Sequence, residues 1–183
     1  LRVVLPPRGA TGRGAAAAAT LKAWLEEGIL LRERRPGLWL YRQTIPGKPA
    51  PSVVSFLVGL VRLAAAGQSP ATTPESPDPR SPEERLAMRR ELRADFEPCL
   101  LVTRAPLSGA LSTTRPPDLS AEDRAGVRHD AHRIHDYAQH VELQGLLGSA
   151  EVVLAAGRPL WETAQAFEAD PAAEKLPGAK FKL

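Results

Sequence analysis

The segment 152–164 contains the residues that are best placed to bind an anion. The apolar run 152–156 predicts a strand, Gly157 a turn, and Pro159 the first turn of a helix. A helix N-terminus carries unpaired N–H groups and the positive end of the helix dipole, so it can hold a phosphate or a carboxylate. The Arg158 side chain could add a bidentate contact. The structural alternative is a plain strand-to-helix connection, because most helix N-termini bind nothing.

The histidines suggest a second kind of site, a metal centre. All four histidines of the chain lie close together, at His129, His132, His135 and His140. Residues 127–134 alternate in polarity and predict a strand, in which His129 and His135 point to one face and His132 to the other. One ion could not then bind all three, and no Cys or carboxylate nearby has a zinc-type spacing. We therefore predict packing or exposed histidines and no bound metal.

Two isolated residues could also be reactive. Glu75 lies in the sequence Thr-Thr-Pro-Glu-Ser, where a carboxylate could act as a general base, bind magnesium or simply be an exposed loop residue. Cys99 precedes an apolar run and is predicted to be a core residue in a buried strand rather than a nucleophile. Because it is the single cysteine, the chain has no disulfide framework, which fits a reducing compartment.

The elements that would position these residues follow from periodicity and capping signals. We predict strands at 1–5, 38–43, 53–63, 99–103, 127–134 and 151–155, and helices at 15–27, 82–95, 137–147 and 160–167. Ser81 and Glu84 predict a capping box, and the stretch 118–123 predicts one helical turn. The strand 38–43 is expected to pair antiparallel with 53–63. Strict strand–helix alternation is lacking, so the fold class is α/β, with α+β possible: a mixed β-sheet with packed helices.

The length fits a single mixed α/β domain over 1–169, with a Pro-rich loop at 64–82 and a loosely ordered tail at 170–183. Lys and Arg number 24 and Asp and Glu 21, for a formal charge of +3, and the two signs alternate. A nucleic-acid partner is not expected, because such a surface carries a stripe of one charge. No apolar run reaches the roughly 18 residues that a membrane span needs, and no signal peptide is visible, so we expect a cytoplasmic protein without membrane contact.

Four segments, taken together, resemble a known family. They are 18–43, 58–63, 82–101 and 126–129. The chain is similar to the domain-of-unknown-function 1015 family of bacteria and archaea, to which the free serine kinases belong and which is related to the ParB-type fold. The resemblance covers nearly the whole chain and implies a mixed sheet of the ParB and serine-kinase kind.

The family's two functional motifs are matched only in part. Its Pro-His-Glu loop falls on 73–75, where Glu75 is kept and Pro74 takes the histidine position. Its Asp-Gly-His-His-Arg-Tyr-Glu-Thr-Ala signature falls on 156–164. The family residues kept there are Gly157, Glu162, Thr163 and Ala164. The aspartate, the two histidines and the arginine are replaced by Ala156, Arg158, Pro159 and Leu160.

The resemblance implies ATP- or ADP-dependent phosphorylation of free serine with Mg²⁺. It implies Glu75 and Glu162 as catalytic carboxylates and Gly157 and Thr163 as phosphate contacts. Arg158, which replaces a family histidine, would supply a positive charge on the phosphate. Phosphoryl transfer depends on positioning and charge neutralisation, and the substitutions remove most of the groups that supply them. We therefore expect a diverged, non-catalytic member that binds a small anionic ligand or another protein. The alternatives are an active kinase of serine or a similar small molecule, and a ParB-like nucleotide- or DNA-binding module.

Overall fold

The chain has a mixed α/β fold, with two separate sheets and five helices among the described residues. A computed structural model describes residues 13–33, 37–61, 63, 71–72, 81–96 and 98–169. The helices are α1 (Arg13–Glu26), α2 (Pro82–Leu92), α3 (Leu107–Ala110), α4 (Tyr137–Gly148) and α5 (Arg158–Ala169). The strands are β1 (Trp39–Ile45), β2 (Ser52–Val58), β3 (Ala71–Thr72), β4 (Leu100–Thr103), β5 (Leu119–Glu122), β6 (Arg128–Arg133) and β7 (Val152–Ala156). These elements form two compact units.

One unit is built on a four-stranded antiparallel sheet in the order β2-β1-β6-β5. The register places Leu40 of β1 opposite Leu57 of β2 and His132 of β6. Because side chains alternate along a strand, these three lie on the same face of the sheet. Tyr41 and the residues paired with it lie on the opposite face.

Helices α3 and α4 supply the core of this unit. Its buried residues are Leu40, Ala110, Leu111, Ile134 and Leu143. Leu40 lies in β1, Ile134 directly follows β6, and Leu143 is the buried residue of α4. The helices therefore cover the Leu40 face.

The other unit combines a three-stranded sheet in the order β3-β7-β4 with helices α1, α2 and α5. Strand β7 pairs parallel with β3 and antiparallel with β4. Helices α1 and α2 pack through Ala17 and Leu92, which are both buried. Helix α5 also contacts α2, where the guanidinium of Arg89 lies 5.2 Å from the centre of the Phe167 ring.

Local signals in the sequence set the ends of several helices. The Ser81 hydroxyl accepts the N–H of Glu84, and the Glu84 carboxylate accepts the N–H of Ser81, so the predicted capping box is present. The Asp136 side chain accepts the N–H of Ala138 and begins α4. Gly28 follows α1 with a φ of +72°, a conformation that favours glycine.

Apart from the helical turn predicted at 118–123, each predicted element that falls on described residues is present, with ends shifted by up to five residues. The helix predicted to reach 95 ends at Leu92. The strand predicted to reach 63 ends at Val58, and the strand predicted to start at Cys99 starts at Leu100. The prediction that this last strand is buried is wrong, because Leu100 and Val102 are 40 % and 50 % exposed. The predicted strand 1–5, the tail 170–183 and most of the loop 64–82 lie outside the described residues.

The helical turn predicted at 118–123 is wrong, since the segment contains strand β5. The residues expected to cap a helix instead contact β6. The Asp118 carboxylate accepts the N–H of Arg133 at 2.7 Å, and the Ser120 hydroxyl donates to Asp130 at 2.6 Å. Pairing with a neighbouring strand therefore overrides the local capping preference.

None of the helices in the described part of the chain is both long and apolar enough to cross a membrane.

Replacing Leu143 with Ala should lower the free energy of unfolding by about 2–5 kcal/mol, because the side chain is fully buried and a cavity remains. Urea unfolding followed by circular dichroism measures this change. Val141→Ala on the same helix is the control: Val141 is 48 % exposed, so the loss should stay within about 0.5 kcal/mol. Equal losses for the two variants would contradict the assigned core.

Candidate functional site

The residues proposed to contact phosphate, and the proposed catalytic Glu162, lie around the first turn of α5. Gly157 connects β7 to this helix, Arg158 is its first residue, and Glu162 and Thr163 follow one turn later. The structure therefore brings these four residues together. The other proposed catalytic carboxylate, Glu75, lies outside the described residues.

Gly157 is required by close packing against the start of β4. Its φ is +91°, and a Cβ at this position would lie 2.9 Å from Cα of Cys99. The Cys99 thiol donates a hydrogen bond to the Gly157 carbonyl at 3.4 Å. These contacts explain why position 157 requires glycine, whether or not a ligand binds there.

The N-terminus of α5 presents fewer N–H donors than the sequence led us to expect. The N–H groups of Leu160 and Trp161 both donate to the Gly157 carbonyl at 3.0 Å. Pro159 has no N–H group. The expectation of a row of unpaired backbone donors at this turn is therefore wrong, and an anion here would depend on the Arg158 side chain and on the helix dipole.

The Thr163 hydroxyl makes structural hydrogen bonds. It donates to the Pro159 carbonyl at 2.7 Å and accepts from Nε of Arg85 at 3.1 Å. Thr163 is 7 % exposed and Arg85, on α2, is 8 % exposed. This buried pair links α2 to α5, so in this arrangement the Thr163 hydroxyl faces the protein interior.

Arg158 and Glu162 form an ion pair on the surface of the same turn. Nε of Arg158 lies 2.9 Å from Oε1 of Glu162, and the two side chains are 59 % and 51 % exposed. Exposed pairs of this kind contribute only about 0–1 kcal/mol, because water screens the attraction. Glu162 thus orients the Arg158 side chain through a weak ion pair. A more highly charged anion can compete with Glu162 for the guanidinium.

The histidines separate as strand alternation predicts. His129 and His132 both lie in β6, opposite Gln43 and Leu40 respectively, and so on different faces of the sheet. His132 is buried. His135 lies beyond the end of β6, with its Nε2 atom 3.9 Å from Asp118. Among the described residues, no three His, Cys, Asp or Glu side chains lie close enough to hold one metal ion; the absence of bound metal stays a prediction.

Sequence reasoning missed a hydrogen-bonded cluster around His129. Nδ1 of His129 lies 2.6 Å from the Tyr41 hydroxyl, and Nε2 lies 3.2 Å from Oδ2 of Asp123. The Gln43 side-chain amide donates to the Tyr41 oxygen at 3.0 Å. Strand alternation could have placed Tyr41 and Gln43 on one face, but no local spacing shows that His129 lies beside them.

Asp123 is held as a carboxylate by its neighbours. The backbone N–H of Val127 is the largest cause that lowers the pKa of Asp123, followed by the hydrogen bond with His129. The N–H groups of Ala125 and Val127 both donate to Oδ1, which closes the turn between β5 and β6. These bonds favour the ionised form of the side chain.

Gly157→Ala should destabilise the protein by about 1–3 kcal/mol, because the backbone conformation is strained for alanine and the new methyl group meets the Cys99 backbone. Thermal and urea unfolding measure the effect. Gly145→Ala is the matched control, since Gly145 lies in α4 with open space around it and should gain about 0.5–1 kcal/mol in helix propensity. A neutral Gly157→Ala variant would contradict the close approach.

Stability should fall on acidification in a way that depends on Asp123. Its folded pKa lies below the unfolded value of ~3.9, so its stabilising bonds are fully present above that pH and are lost as pH falls through the folded pKa. Carboxyl NMR should show Asp123 titrating below its usual range. Asp123→Asn should flatten the pH dependence of unfolding in this acid window; an unchanged dependence would contradict the assignment.

Comparison with known proteins identifies the family of the chain. A family model described as "Protein of unknown function (DUF1015)" matches residues 1–180. Searches of curated proteins and of solved structures returned no match. Since the match covers nearly every residue, the chain belongs to the DUF1015 family of proteins of unknown function.

Proposed function

We propose that this chain is a diverged, non-catalytic member of its family that binds a small anionic ligand at the first turn of α5. The observation that carries the proposal is the exposed guanidinium of Arg158 at the positive end of a helix, oriented by Glu162. Phosphate and carboxylate groups are the ligands that such a position favours.

The surrounding contacts support binding rather than phosphoryl transfer. The Thr163 hydroxyl and the Arg85 guanidinium are bonded to each other in the interior, and the backbone N–H groups of Leu160 and Trp161 are used within the helix. Transition-state stabilisation needs several donors aimed at the transferred group. One oriented guanidinium supplies affinity for an anion but little of that apparatus.

The kinase alternative would require Mg²⁺ with ATP or ADP and a pair of carboxylates to hold the metal. Of the two proposed carboxylates, Glu162 pairs with Arg158, and Glu75 lies outside the described residues. At this turn the described residues offer one carboxylate, already paired with a guanidinium, which by itself does not fit a magnesium–nucleotide site. This favours the binding function over the catalytic one.

Isothermal titration with inorganic phosphate, ADP, ATP and serine tests the binding function. We expect weak phosphate binding that decreases with added salt, because the contact is exposed. Arg158→Ala should weaken it by about 10–100-fold, as expected for the loss of a charge-assisted hydrogen bond. Arg90→Ala, which removes an exposed guanidinium from α2 of the same unit, should leave affinity unchanged.

Three outcomes would overturn the proposal in different ways. Phosphate binding that is the same with and without Arg158 would remove the site. Phosphoserine formed from ATP, Mg²⁺ and serine, and lost in Glu162→Ala, would establish the kinase alternative. A duplex DNA shift that decreases steeply with salt would instead support a ParB-like module.

A further inference from the structure

Tyr41, His129 and Asp123 form a continuous chain of hydrogen bonds with a defined direction. Asp123 is ionised and can only accept, so Nε2 of a neutral His129 must carry the proton and donate it at 3.2 Å. Nδ1 is then unprotonated and must accept the Tyr41 hydroxyl at 2.6 Å. These hydrogen bonds thus assign the tautomer of His129 and direct the proton of the Tyr41 hydroxyl at Nδ1 of His129.

The fold holds each member of this chain in place. The β1–β6 register sets Gln43 directly opposite His129, and Tyr41 lies two residues along on the same face. Asp123 is fixed because its Oδ1 atom closes the β5–β6 turn, which leaves Oδ2 for His129. The base is therefore oriented by a group that is itself anchored to the backbone.

Gln43 adds a hydrogen-bond donor to the Tyr41 oxygen. Its side-chain amide donates to the Tyr41 oxygen at 3.0 Å, while the Tyr41 proton is directed to His129. A donor in this position stabilises negative charge on the phenol oxygen as the proton leaves. Tyr41 thus has a base, an orienting carboxylate behind the base, and a donor for the developing phenolate.

The cluster lies on the face of the sheet opposite the helix-covered core, among apolar side chains. The Phe56 ring stacks on Tyr41 with centroids 5.8 Å apart. Val54 and Val58 of β2 and Leu119 of β5 share this face by register and are 39 %, 43 % and 64 % exposed. Arg133 of β6 also shares this face by register. The exposed apolar side chains favour a substrate with an apolar group.

We propose that Tyr41 is a nucleophile that accepts an acyl group from an activated ester with a short apolar acyl chain. The Tyr41 oxygen forms a bond to the ester carbonyl carbon, and its proton passes to Nδ1 of His129. The bond from that carbon to the leaving oxygen then breaks, and the leaving oxygen takes the proton from His129. Asp123 balances the charge of the imidazolium between these two steps.

The acylated Tyr41 is an aryl ester, and its hydrolysis completes a catalytic cycle. Water adds to the acyl carbon as His129 accepts its proton, and the Tyr41 oxygen leaves and recovers a proton from His129. The net reaction is ester plus water to acid plus alcohol. This activity lies in a different unit from Arg158 and is independent of the anion-binding function.

The experiment treats the full chain with p-nitrophenyl butyrate, follows p-nitrophenolate release and locates the acyl group by peptide mass spectrometry. The chain has two tyrosines, so Tyr137, which is 81 % exposed, is an internal reference. We expect Tyr41 to be acylated faster than Tyr137 although it is less exposed. Tyr41→Phe should abolish the Tyr41 adduct and the associated release.

Two variants separate activation from exposure. His129→Gln keeps an acceptor for the phenol but cannot take its proton, and Asp123→Asn keeps the acceptor that closes the turn but not the one for His129. Each should slow Tyr41 acylation by about 100-fold and leave Tyr137 unchanged, because the first removes the general base and the second removes the carboxylate that orients it. His135→Gln, outside the cluster, should leave both rates unchanged.

If Tyr41 in the native chain is acylated no faster than Tyr137, the proposal is overturned, whatever the variants show. Equal Tyr41 rates in the native chain and in a folded His129→Gln or Asp123→Asn variant would also overturn it. Unfolding midpoints establish which variants are folded.

Discussion

The alternation of side chains along β6 is the constraint on which the larger sheet depends. One set of alternate residues, Asp130, His132 and Ile134, is buried, and His129 belongs to the other set. Shifting the strand by one residue would exchange the two sets and expose the core. The same register that buries Ile134 against Leu143 therefore brings His129 beside Tyr41.

Asp130 shows how a charge is accommodated on the buried side of this strand. The Ser120 hydroxyl and the Arg128 guanidinium both donate to its carboxylate, and the Ser120 bond is the largest cause that lowers the pKa of Asp130. Burying a carboxylate without such partners would cost several kcal/mol, even after the surrounding protein relaxes. Strand β5 thus stabilises β6 through side chains as well as through the backbone ladder.

Much of the fold could be predicted from the sequence because its signals are local. The capping box at Ser81, the cap at Asp136 and the alternation around His132 each depend on residues a few positions apart. The pairing of β1 with β6 and the bond between Arg85 and Thr163 depend on distant segments and leave no periodic signal. The family's motif located the turn before α5, but it could not show that Thr163 faces the interior.

The separation of Tyr41 and His129 along the chain has a consequence for the order of folding. They are 88 residues apart, and helix α2 and strand β4, which belong to the other unit, lie between them in sequence. Closing so long a loop costs conformational entropy before the hydrogen bonds of the β1–β6 ladder can offset that cost. Hairpins such as β1–β2 and β5–β6 can form early from neighbouring residues, and we expect their joining into one sheet to come later and more slowly.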